Sequence, residues 1–552
     1  MNINALLASE SRTLSEHSSM NTGHTLRNLL PSLLAALLVS GLGSAAATVQ
    51  ALSLEFDDGE WELDLDTTVS YSAMWRVAKQ DTDKFSYRDT GDLIKDSTNY
   101  TLLLNADDGT RNFSRSMVQN KLSAVSELKL AWRNYGFFAR GRAFYDDVYN
   151  HDTDQSEQSY LTYNSGQLYG GDAGFQEFPK DTRDEHRNRL EMLDYFAYTS
   201  GELPGDRLYE LRLGSQVINW GEATFYQGIN GLQNRADAIA ANSPGVEVKE
   251  ILLPTGAVYA QLDVIEDVTF EAYYQYEWRK TELNGVGSYF SDRDFLGPGA
   301  ENFLVAVGDK VTFVAPRTPD DAASNSGQWG SALHWITEGG TDFGVYYVNA
   351  HSKAPAYQLN REGPIPESYT IKYFEDIHGY AASFTTVMGI TNIQGEVSYK
   401  TNTPVVLKSG DPVDGDVISA QLGGSHVLAP TALWDDASIV FELAATKIES
   451  HDNGELLYDD QATAMALRSE FAYINVAPGL DLKVPIFLQY TFDGTILESR
   501  MAEDSTTFNI TLVGVYLNNF TAQLGYTNYF DGGVDNLLSD RDNVTFNVSY
   551  SF

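Results

Sequence analysis

The chain has 552 residues, no cysteine, and 76 acidic against 37 basic side chains, which gives a formal net charge of -39. This acidity argues against nucleic acid as a partner, because binding phosphates requires clusters of Lys and Arg. The absence of cysteine excludes stabilisation by disulfides, so the fold must depend on a large core or on a closed hydrogen-bond network.

The N-terminal region has the pattern of a secretory signal peptide. Arg27 precedes an apolar run over residues 29–42, and small residues follow that run as far as Ala51. We therefore expect residues 1–51 to be removed as a signal peptide and residues 52–552 to form the mature protein as one domain. Translation from Met20 would keep the same pattern and is an alternative start.

From residue 60 onward, about eighteen segments have the pattern of β-strands, with apolar and polar side chains alternating in many of them. No apolar run after residue 51 reaches the about 20 residues that a membrane helix needs. The predicted strands are 60–76, 118–132, 135–146, 190–200, 208–217, 258–264, 268–277, 328–336, 343–350, 379–387, 391–399, 416–426, 438–448, 465–476, 482–492, 506–517, 520–530 and 543–552.

The connections between these segments alternate in length. Every second connection is short, as at 133–134 and 518–519, whereas the others are long, as at 77–117 and 278–327. Outer-membrane barrels have this arrangement, with short periplasmic turns and long extracellular loops, and single-chain bacterial barrels have an even number of strands. The sequence therefore predicts an all-β fold, a transmembrane antiparallel β-barrel of about 18 strands.

The last ten residues place Val544, Phe546, Val548, Tyr550 and Phe552 on one face of an extended segment. An alternating strand that ends on an aromatic residue resembles the assembly signal of bacterial outer-membrane barrels. The resemblance implies that the barrel-assembly machinery recognises Tyr550 and Phe552. An ordinary C-terminal strand is the alternative.

If the apolar faces of the strands meet lipid, the opposite faces line the lumen, and those faces are charged. The predicted pore-lining residues are Glu127, Lys129, Arg140, Arg142, Glu210, Arg212, Glu271, Glu277, Glu442, Arg468 and Glu470. Neighbouring charges of both signs indicate ion-paired ladders that hold the wall. The functional interpretation is that Arg140, Arg142 and Arg212 form a basic strip that orients permeating solutes.

Aromatic residues near the strand ends predict girdles at the two membrane interfaces. The candidates are Trp61, Trp132, Trp278, Trp335 and Tyr516. For each of them, packing against a loop is the alternative.

Two long loops have the composition of ordered structure. The loop 218–257 contains a helix-forming stretch at 231–241, and its predicted constriction residues are Asn230, Gln233, Asn234, Arg235 and Asp237. The loop 278–327 carries the hydrophobic residues Tyr289, Phe290, Phe295 and Phe303. We expect one or both loops to fold into the barrel mouth and narrow it. The alternative is a surface cap that packs only on other loops.

The sequence gives little support for catalysis. His334, His378 and His426 lie on or beside predicted strands, but no recognisable motif surrounds them. The loop 411–416 lacks the full spacing of a calcium-binding loop, so we interpret it as a solvated acidic turn. No catalytic residue, metal site or cofactor is therefore predicted. About eighteen strands enclose an aqueous lumen, so the size of the barrel favours transport.

Two stretches resemble a known family. They are Leu-Arg-Leu-Gly-Ser-Gln-Val-Ile-Asn-Trp-Gly-Glu at 211–222, leading into Ile-Leu-Leu-Pro at 251–254, and Phe-Glu-Ala-Tyr-Tyr-Gln-Tyr-Glu-Trp at 270–278, with Gly-Ser-Tyr-Phe behind it. They are similar to a pseudomonad outer-membrane β-barrel family catalogued as a domain of unknown function, and the likeness covers the whole mature chain. It implies a Gram-negative outer membrane, an RND-type exporter and a periplasmic carrier as partners, and sterol- or lipid-like compounds as cargo.

These observations favour a porin-like channel or transporter for small molecules, in contact with outer-membrane lipid and lipopolysaccharide. The hydrophobic cargo that the resemblance implies contrasts with the charged lumen, unless the aromatic loop 278–327 supplies a binding surface. The alternatives are an outer-membrane hydrolase, either a lipase or a protease, and an adhesion or scaffold barrel with a plugged lumen.

Overall fold

A computed structural model of the chain describes residues 52–56, 60–85, 104–155, 176–307, 310–363, 365–496, 499–533 and 535–552. The predicted signal peptide lies outside these residues and stays a prediction. The described α-helices are α1 (Asp108–Arg111), α2 (Lys180–His186), α3 (Ala238–Ala241) and α4 (Val248–Ile251), and 3-10 turns cover Thr82–Lys84, Asp147–Asn150 and Ile229–Leu232. None of the helices in these ranges is long and apolar enough to cross a membrane.

Strands dominate the described part of the chain. In chain order they are β1 (Leu52–Phe56), β2 (Trp61–Arg76), β3 (Met117–Trp132), β4 (Tyr135–Asp146), β5 (Asn188–Leu203), β6 (Arg207–Gln216), β7 (Arg235–Ala236), β8 (Leu252–Leu253), β9 (Thr255–Ile265), β10 (Val268–Gln275), β11 (Asn302–Val307), β12 (Lys310–Pro316), β13 (Gln328–Ile336), β14 (Asp342–Ala350), β15 (Ala356–Arg361), β16 (Pro366–Lys372), β17 (Ile377–Met388), β18 (Thr391–Val406), β19 (Pro412–Leu428), β20 (Asp436–His451), β21 (Gln461–Ala477), β22 (Leu480–Asp493), β23 (Thr506–Tyr516), β24 (Phe520–Phe530) and β25 (Asn543–Ser551).

Pairing between β2 and β25 closes the barrel. The two strands are antiparallel, with Val69 opposite Tyr550 and Arg76 opposite Asn543. One sheet contains nineteen strands, but β1 pairs only with the first residues of β2, so the other eighteen form the closed wall. A closed wall leaves no unpaired edge in hydrocarbon, where unpaired backbone groups are costly. The predicted eighteen-stranded antiparallel barrel is confirmed. The hairpins β7–β8, β11–β12 and β15–β16 lie in loops and were not predicted.

Side chains alternate between the outer surface and the lumen along each wall strand. In β24, Leu524 is 55% exposed and lies opposite Phe546 and Leu512 on the outer surface. Its neighbour Gln523 lies opposite Asn547 and faces the lumen. The exposed apolar side chains of the wall strands together form the outer surface expected of a barrel in lipid.

Replacing Leu524 by arginine is expected to destabilise the barrel by about 2–4 kcal/mol, because the charge would enter the hydrocarbon. Reversible unfolding by guanidinium in lipid vesicles measures the change. Gln523→Arg adds the same charge one residue earlier, on the face that lines the lumen, and should cost much less. Equal losses for the two variants would contradict the assignment of the two faces.

Aromatic side chains mark the short-turn end of the outer surface. The rings of Trp61 and Trp132 stack with centroids 5.5 Å apart, and both Trp335 and Tyr516 are exposed, by 52% and 46%. Trp278 instead packs against an apolar cluster of loop side chains, so the girdle prediction for this residue is wrong.

The long loops pack together at the other end of the barrel and form what we call the cap. It comprises the described parts of 77–116, 147–187, 276–327, 351–376 and 531–542. Tyr289 is buried in one apolar cluster of the cap, and Phe290 packs against it. Phe295 and Phe303 lie in a second cluster, formed with residues of β15 and β16. The loop 278–327 therefore packs largely on other loops.

Candidate functional site

A different loop enters the barrel and crosses its lumen. Residues 217–254, between β6 and β9, are called the lumen loop here. The loop contains β7, β8, α3 and α4, and its side chains and backbone bind wall strands on several sides of the barrel. The prediction that a loop folds into the lumen is confirmed.

Trp220 anchors the start of the lumen loop. Its ring packs against Tyr273 and Tyr346, with centroid distances of 4.9 and 6.1 Å. Its Nε1–H donates to a carboxylate oxygen of Glu271 at 2.7 Å, and Tyr259 donates to the same oxygen at 2.8 Å. Glu271, one of the predicted pore-lining residues, thus lies on the luminal face of β10 and holds the loop.

Glu442 on β20 binds the backbone of the next segment. Its carboxylate accepts hydrogen bonds from the N–H groups of Thr224 at 2.6 Å, Phe225 at 3.1 Å and Tyr226 at 2.8 Å. Glu442 is 1% exposed, so these charge-assisted bonds replace its contact with water. This predicted pore-lining residue therefore serves as a fixed acceptor for three successive peptide groups.

Glu396 on β18 binds the same loop at a second point, and it was not predicted. Its oxygens accept from the N–H groups of Glu222 at 2.8 Å and Ile229 at 2.6 Å. A Cβ on Gly221 would lie 2.1 Å from one oxygen, and a Cβ on Gly228 would lie 2.0 Å from the other. Glycine at both positions is therefore what allows the backbone to fold around the carboxylate.

Ion pairs hold the return half of the lumen loop against β4 and β5. Arg142 donates to both Glu191 and Asp237 at 2.5 Å, and Arg189 pairs with Asp237 at 3.2 Å. Asp237 is 1% exposed, so the pairing compensates for the removal of its charge from water. The predicted constriction residue Asp237 and the predicted wall residue Arg142 are thus brought together.

The remaining arginines of the predicted basic strip are also paired. Arg140 binds Glu127 at 2.8 Å and Asp194 at 2.9 Å, and Arg212 binds Glu210 at 2.8 Å. With Arg142 paired as well, the three guanidinium groups belong to mixed-charge ladders. Their arrangement agrees with the structural interpretation of these charges and gives no support to a free basic strip.

The other predicted pore-lining residues lie in three different places. Arg468 and Glu470 pair at 2.7 Å on the luminal face of β21, and the Arg468 side chain is 47% exposed. Lys129 lies on the luminal face of β3. Glu277 follows the end of β10 and pairs with Arg279 at 2.6 Å, so it lies at the mouth of the barrel and not on the wall.

Most of the predicted constriction residues stabilise the shape of the lumen loop itself. Asn230, Gln233 and Asn234 accept hydrogen bonds from backbone N–H groups of the loop. Arg235 pairs with Glu282 of the following long loop at 2.9 Å. These side chains therefore act mainly by holding the loop in the lumen.

The helix predicted over 231–241 is largely wrong. Only the four residues of α3 are α-helical, and β7 precedes them. The Asp237 side chain accepts from the N–H groups of Ile239 at 2.8 Å and Ala240 at 2.9 Å, so it caps a new short helix at this point. Pairing of β7 with β8 keeps the residues directly before this short helix in an extended conformation.

The lumen loop does not occupy the whole lumen, and one side of the lumen remains open beside it. The contacts described above involve β4, β5, β10, β14, β18 and β20. Further contacts join the lumen loop to β2, β3, β22 and β25, and none of these contacts involves β23 or β24. The luminal side chains of β23 and β24 are half-buried, and Asn509, Thr511, Gln523 and Thr527 among them are polar, whereas Val513 and Val515 are apolar. The space between these strands and the lumen loop is therefore the candidate passage.

The three strand histidines lie in two environments. His378 and His426 lie on the outer surface, where they pair with Tyr347 at 3.0 Å and Thr391 at 2.8 Å. His334 faces the lumen, and its Nδ1 lies 3.3 Å from Asp342. Among the described residues, these contacts bring no hydroxyl group, the nucleophile that a hydrolase would need, to the pair formed by His334 and Asp342.

In the cap, His186 accepts a hydrogen bond that requires a neutral ring. Its Nε2 lies 2.8 Å from the N–H of Gly285, and burial lowers the pKa of His186 from 6.5 to about 3. Because the unfolded state takes up a proton first, the contribution of His186 to stability is present above pH 6.5 and is lost as the pH falls towards 3. At pH 5 the free energy of unfolding of the cap around His186 should be lower by about 2 kcal/mol.

Amide hydrogen exchange at Gly285 measures this loss, and we expect faster exchange at pH 5 after correction for the intrinsic rate. His186→Gln keeps an acceptor that does not titrate and should remove the pH dependence. His151→Gln is the control, because the His151 side chain is 70% exposed. Equal pH dependence in wild type and His186→Gln would contradict the assignment.

Comparisons with solved structures find bacterial proteins of low sequence identity. Acinetobacter baumannii OccAB4 is 10% identical with a TM-score of 0.41, a BenF-like porin from Pseudomonas fluorescens is 8% identical with a TM-score of 0.41, and Pseudomonas aeruginosa OpdK, solved with vanillate, is 9% identical with a TM-score of 0.40. Each comparison covers 89% of this chain and 98% of the other.

No curated protein matches the chain in sequence. The sequence model of the family described as "Protein of unknown function (DUF1302)" matches residues 31–552, which is most of the chain. The chain therefore belongs to the DUF1302 family.

Proposed function

We propose that the protein is an outer-membrane channel for small molecules and that the lumen loop sets its constriction. The observation that carries the proposal is the attachment of the loop backbone to two buried carboxylates, Glu396 and Glu442, on the barrel wall. A loop fixed at several points across a closed barrel narrows the lumen without filling every side of it. The apolar outer surface supports the membrane location, with the short turns in the periplasm.

The lining of the candidate passage indicates the class of solute. Amide and hydroxyl side chains of β23 and β24 lie on one side, and the Arg468 and Glu470 pair lies nearer the short-turn end. A lining that combines uncharged hydrogen-bonding groups with the apolar side chains of Val513 and Val515 favours small polar or amphipathic solutes over strongly charged ones.

A second candidate, transport of hydrophobic or lipid-like compounds, is favoured by what the lumen loop covers. Phe225 and Tyr226 pack on an apolar part of the luminal wall that includes Ala444, Ala464 and Ala466. Ile218 and Trp220 cover another apolar part, on β9, β10 and β14. Movement of the loop would expose both surfaces to a hydrophobic cargo. In that case a periplasmic carrier or an RND-type exporter would meet the barrel at its short-turn end.

Planar-bilayer recording of the purified protein tests the proposal. We expect small single-channel currents from the wild type, and reversible reduction of the current by a permeating amphipathic solute. Liposome swelling with uncharged sugars and with amphipathic aromatic acids then separates the two candidates. Absence of conductance, both in the wild type and after deletion of residues 223–228, would overturn the channel and favour a plugged scaffold barrel.

A further inference from the structure

Three carboxylates meet inside the cap, away from the lumen loop. Asp107 precedes α1, Asp108 begins α1, and Asp294 belongs to the long loop after β10. One oxygen of each residue lies within 4.8 Å of the oxygens of the other two. The residues are 1%, 0% and 3% exposed, so all three carboxylates are removed from water. Such a group is unfavourable unless protons or a cation neutralise it.

The neighbouring arginines do not neutralise the cluster. Arg111 pairs with Asp107 at 2.8 Å. Arg541 also lies near the cluster, but it forms its ion pair with Asp540. Within the described parts of the chain, the other two carboxylates of the cluster form no salt bridge. Two negative charges are therefore left for another partner.

Several oxygen atoms of the site have no hydrogen bond. Oδ2 of Asp108 and Oδ1 of Asp294 are buried without a donor, and so is Oε1 of Gln155. Gln155 is 2% exposed, and its Nε2 lies 3.4 Å from Oδ1 of Asp108, so a flip of the side-chain amide would bring Oε1 to the site. Desolvation raises the pKa of Asp108 well above its usual value and that of Asp294 to about 8. Buried acceptors without donors are the environment that a bound cation would satisfy.

We propose that Asp107, Asp108 and Asp294, together with Gln155, bind one Ca²⁺ ion. Calcium takes oxygen ligands at about 2.3–2.6 Å, so ligand atoms on opposite sides of the ion are separated by about 5 Å. The spacing of the three carboxylate oxygens, within 4.8 Å, fits this requirement. Carboxylate and amide oxygens are the ligand types that hard cations prefer.

The ion would join three loops of the cap. The two aspartates at α1 lie between β2 and β3, Gln155 lies between β4 and β5, and Asp294 lies between β10 and β13. The same loops are joined directly, since the backbone N–H of Asp294 donates to the carbonyl of Asn105 at 2.8 Å. A cation site at this point would cross-link the cap, and it does not depend on the proposed transport function.

Equilibrium dialysis with ⁴⁵Ca²⁺ tests the proposal on the full-length mature protein, refolded in detergent without lipopolysaccharide. We expect one tightly bound ion per chain, and at least a tenfold weaker affinity for Asp108→Asn and for Asp294→Asn. Asp414→Asn is the matched control, because it removes the same charge from an exposed position near the start of β19. Its calcium affinity should equal that of the wild type.

Limited proteolysis provides a readout that does not depend on binding stoichiometry. Calcium should slow cleavage of the cap loops several-fold in the wild type and in Asp414→Asn, and should have no effect in Asp294→Asn. Cleavage of the variants in a chelator, compared with the wild type, shows whether the cap is folded. Absence of calcium binding in the wild type at pH 8.5, or unchanged affinity in folded Asp108→Asn and Asp294→Asn, would overturn the site and leave a cluster neutralised by protons.

Discussion

The double variant Glu396→Ala/Glu442→Ala is expected to pass several times the single-channel current of the wild type. The two carboxylates accept five backbone hydrogen bonds from the lumen loop. Bonds of this kind contribute about 1.5–3 kcal/mol each, because one partner is charged. Their loss would also leave five N–H groups in need of water. Residues 222–229 should therefore leave the wall and open the lumen beside β18 and β20.

The control for this prediction must change the luminal charge without touching the loop. Glu210→Ala/Glu470→Ala removes the same two charges from luminal residues that pair with Arg212 and Arg468 on the wall. We expect this variant to change ion selectivity more than conductance. Equal conductance changes in the two double variants would show that charge, and not attachment of the loop, controls the current.

Glutamine at the same two positions should give an intermediate result. A glutamine side chain keeps the length of glutamate and one acceptor oxygen, but it loses the charge and gains an NH₂ group that faces backbone donors. Each site would then keep some of its hydrogen bonds. Noisy currents, with transitions between the wild-type level and a higher level, are the expected sign of a partly attached loop.

The barrel could be predicted from the sequence because its signals are local and repeated. Alternation of side chains along strands such as 520–530, and of short and long connections, is imposed by the membrane at every hairpin. An error at one strand end, such as extension of β10 to Glu277, changes neither the strand number nor the topology.

The site could be predicted only in part, because its contacts join distant segments. Glu442 was placed on the luminal face by alternation, but its role depends on residues 224–226, more than 200 positions earlier. Glu396 alternates with Val397 on the predicted strand 391–399, so the same signal was present there, but the residue was not predicted. Gly221 and Gly228 were the clue available in the sequence. Glycine has no Cβ, so two glycines in one loop indicate that its backbone approaches another segment of the chain closely.

The same limit applies to the cap. Asp294 lies 186 positions after Asp108, so no spacing rule for metal ligands could connect them. Such a rule also led to the prediction of a solvated acidic turn at 411–416, which is wrong, because residues 412–416 begin strand β19. Trp278 failed as a girdle residue for a related reason, because its apolar partners come from the hairpin β15–β16 in another loop.

Deleting Phe552 is expected to reduce the amount of assembled barrel in cells several-fold while leaving the stability of refolded protein nearly unchanged. Phe552 exchanges two backbone hydrogen bonds with Thr67, at 2.7 and 2.9 Å, at the end of the closing seam. Each bond contributes about 1 kcal/mol, a small part of the stability of an eighteen-stranded wall. A large loss of assembly would therefore reflect recognition of the aromatic terminus and not a weaker fold.

Two measurements separate these effects. Heat-modifiable migration of outer-membrane fractions reports assembly in cells, and unfolding in detergent reports stability of the isolated protein. Phe552→Tyr is the matched control, because it keeps an aromatic ring beside Tyr550, whose ring centroid lies 5.9 Å from that of Phe552. If Phe552→Tyr loses as much assembly as the deletion, the signal needs more than an aromatic side chain. If the deletion lowers both quantities together, Phe552 acts through the seam between β2 and β25, and the terminus is an ordinary last strand.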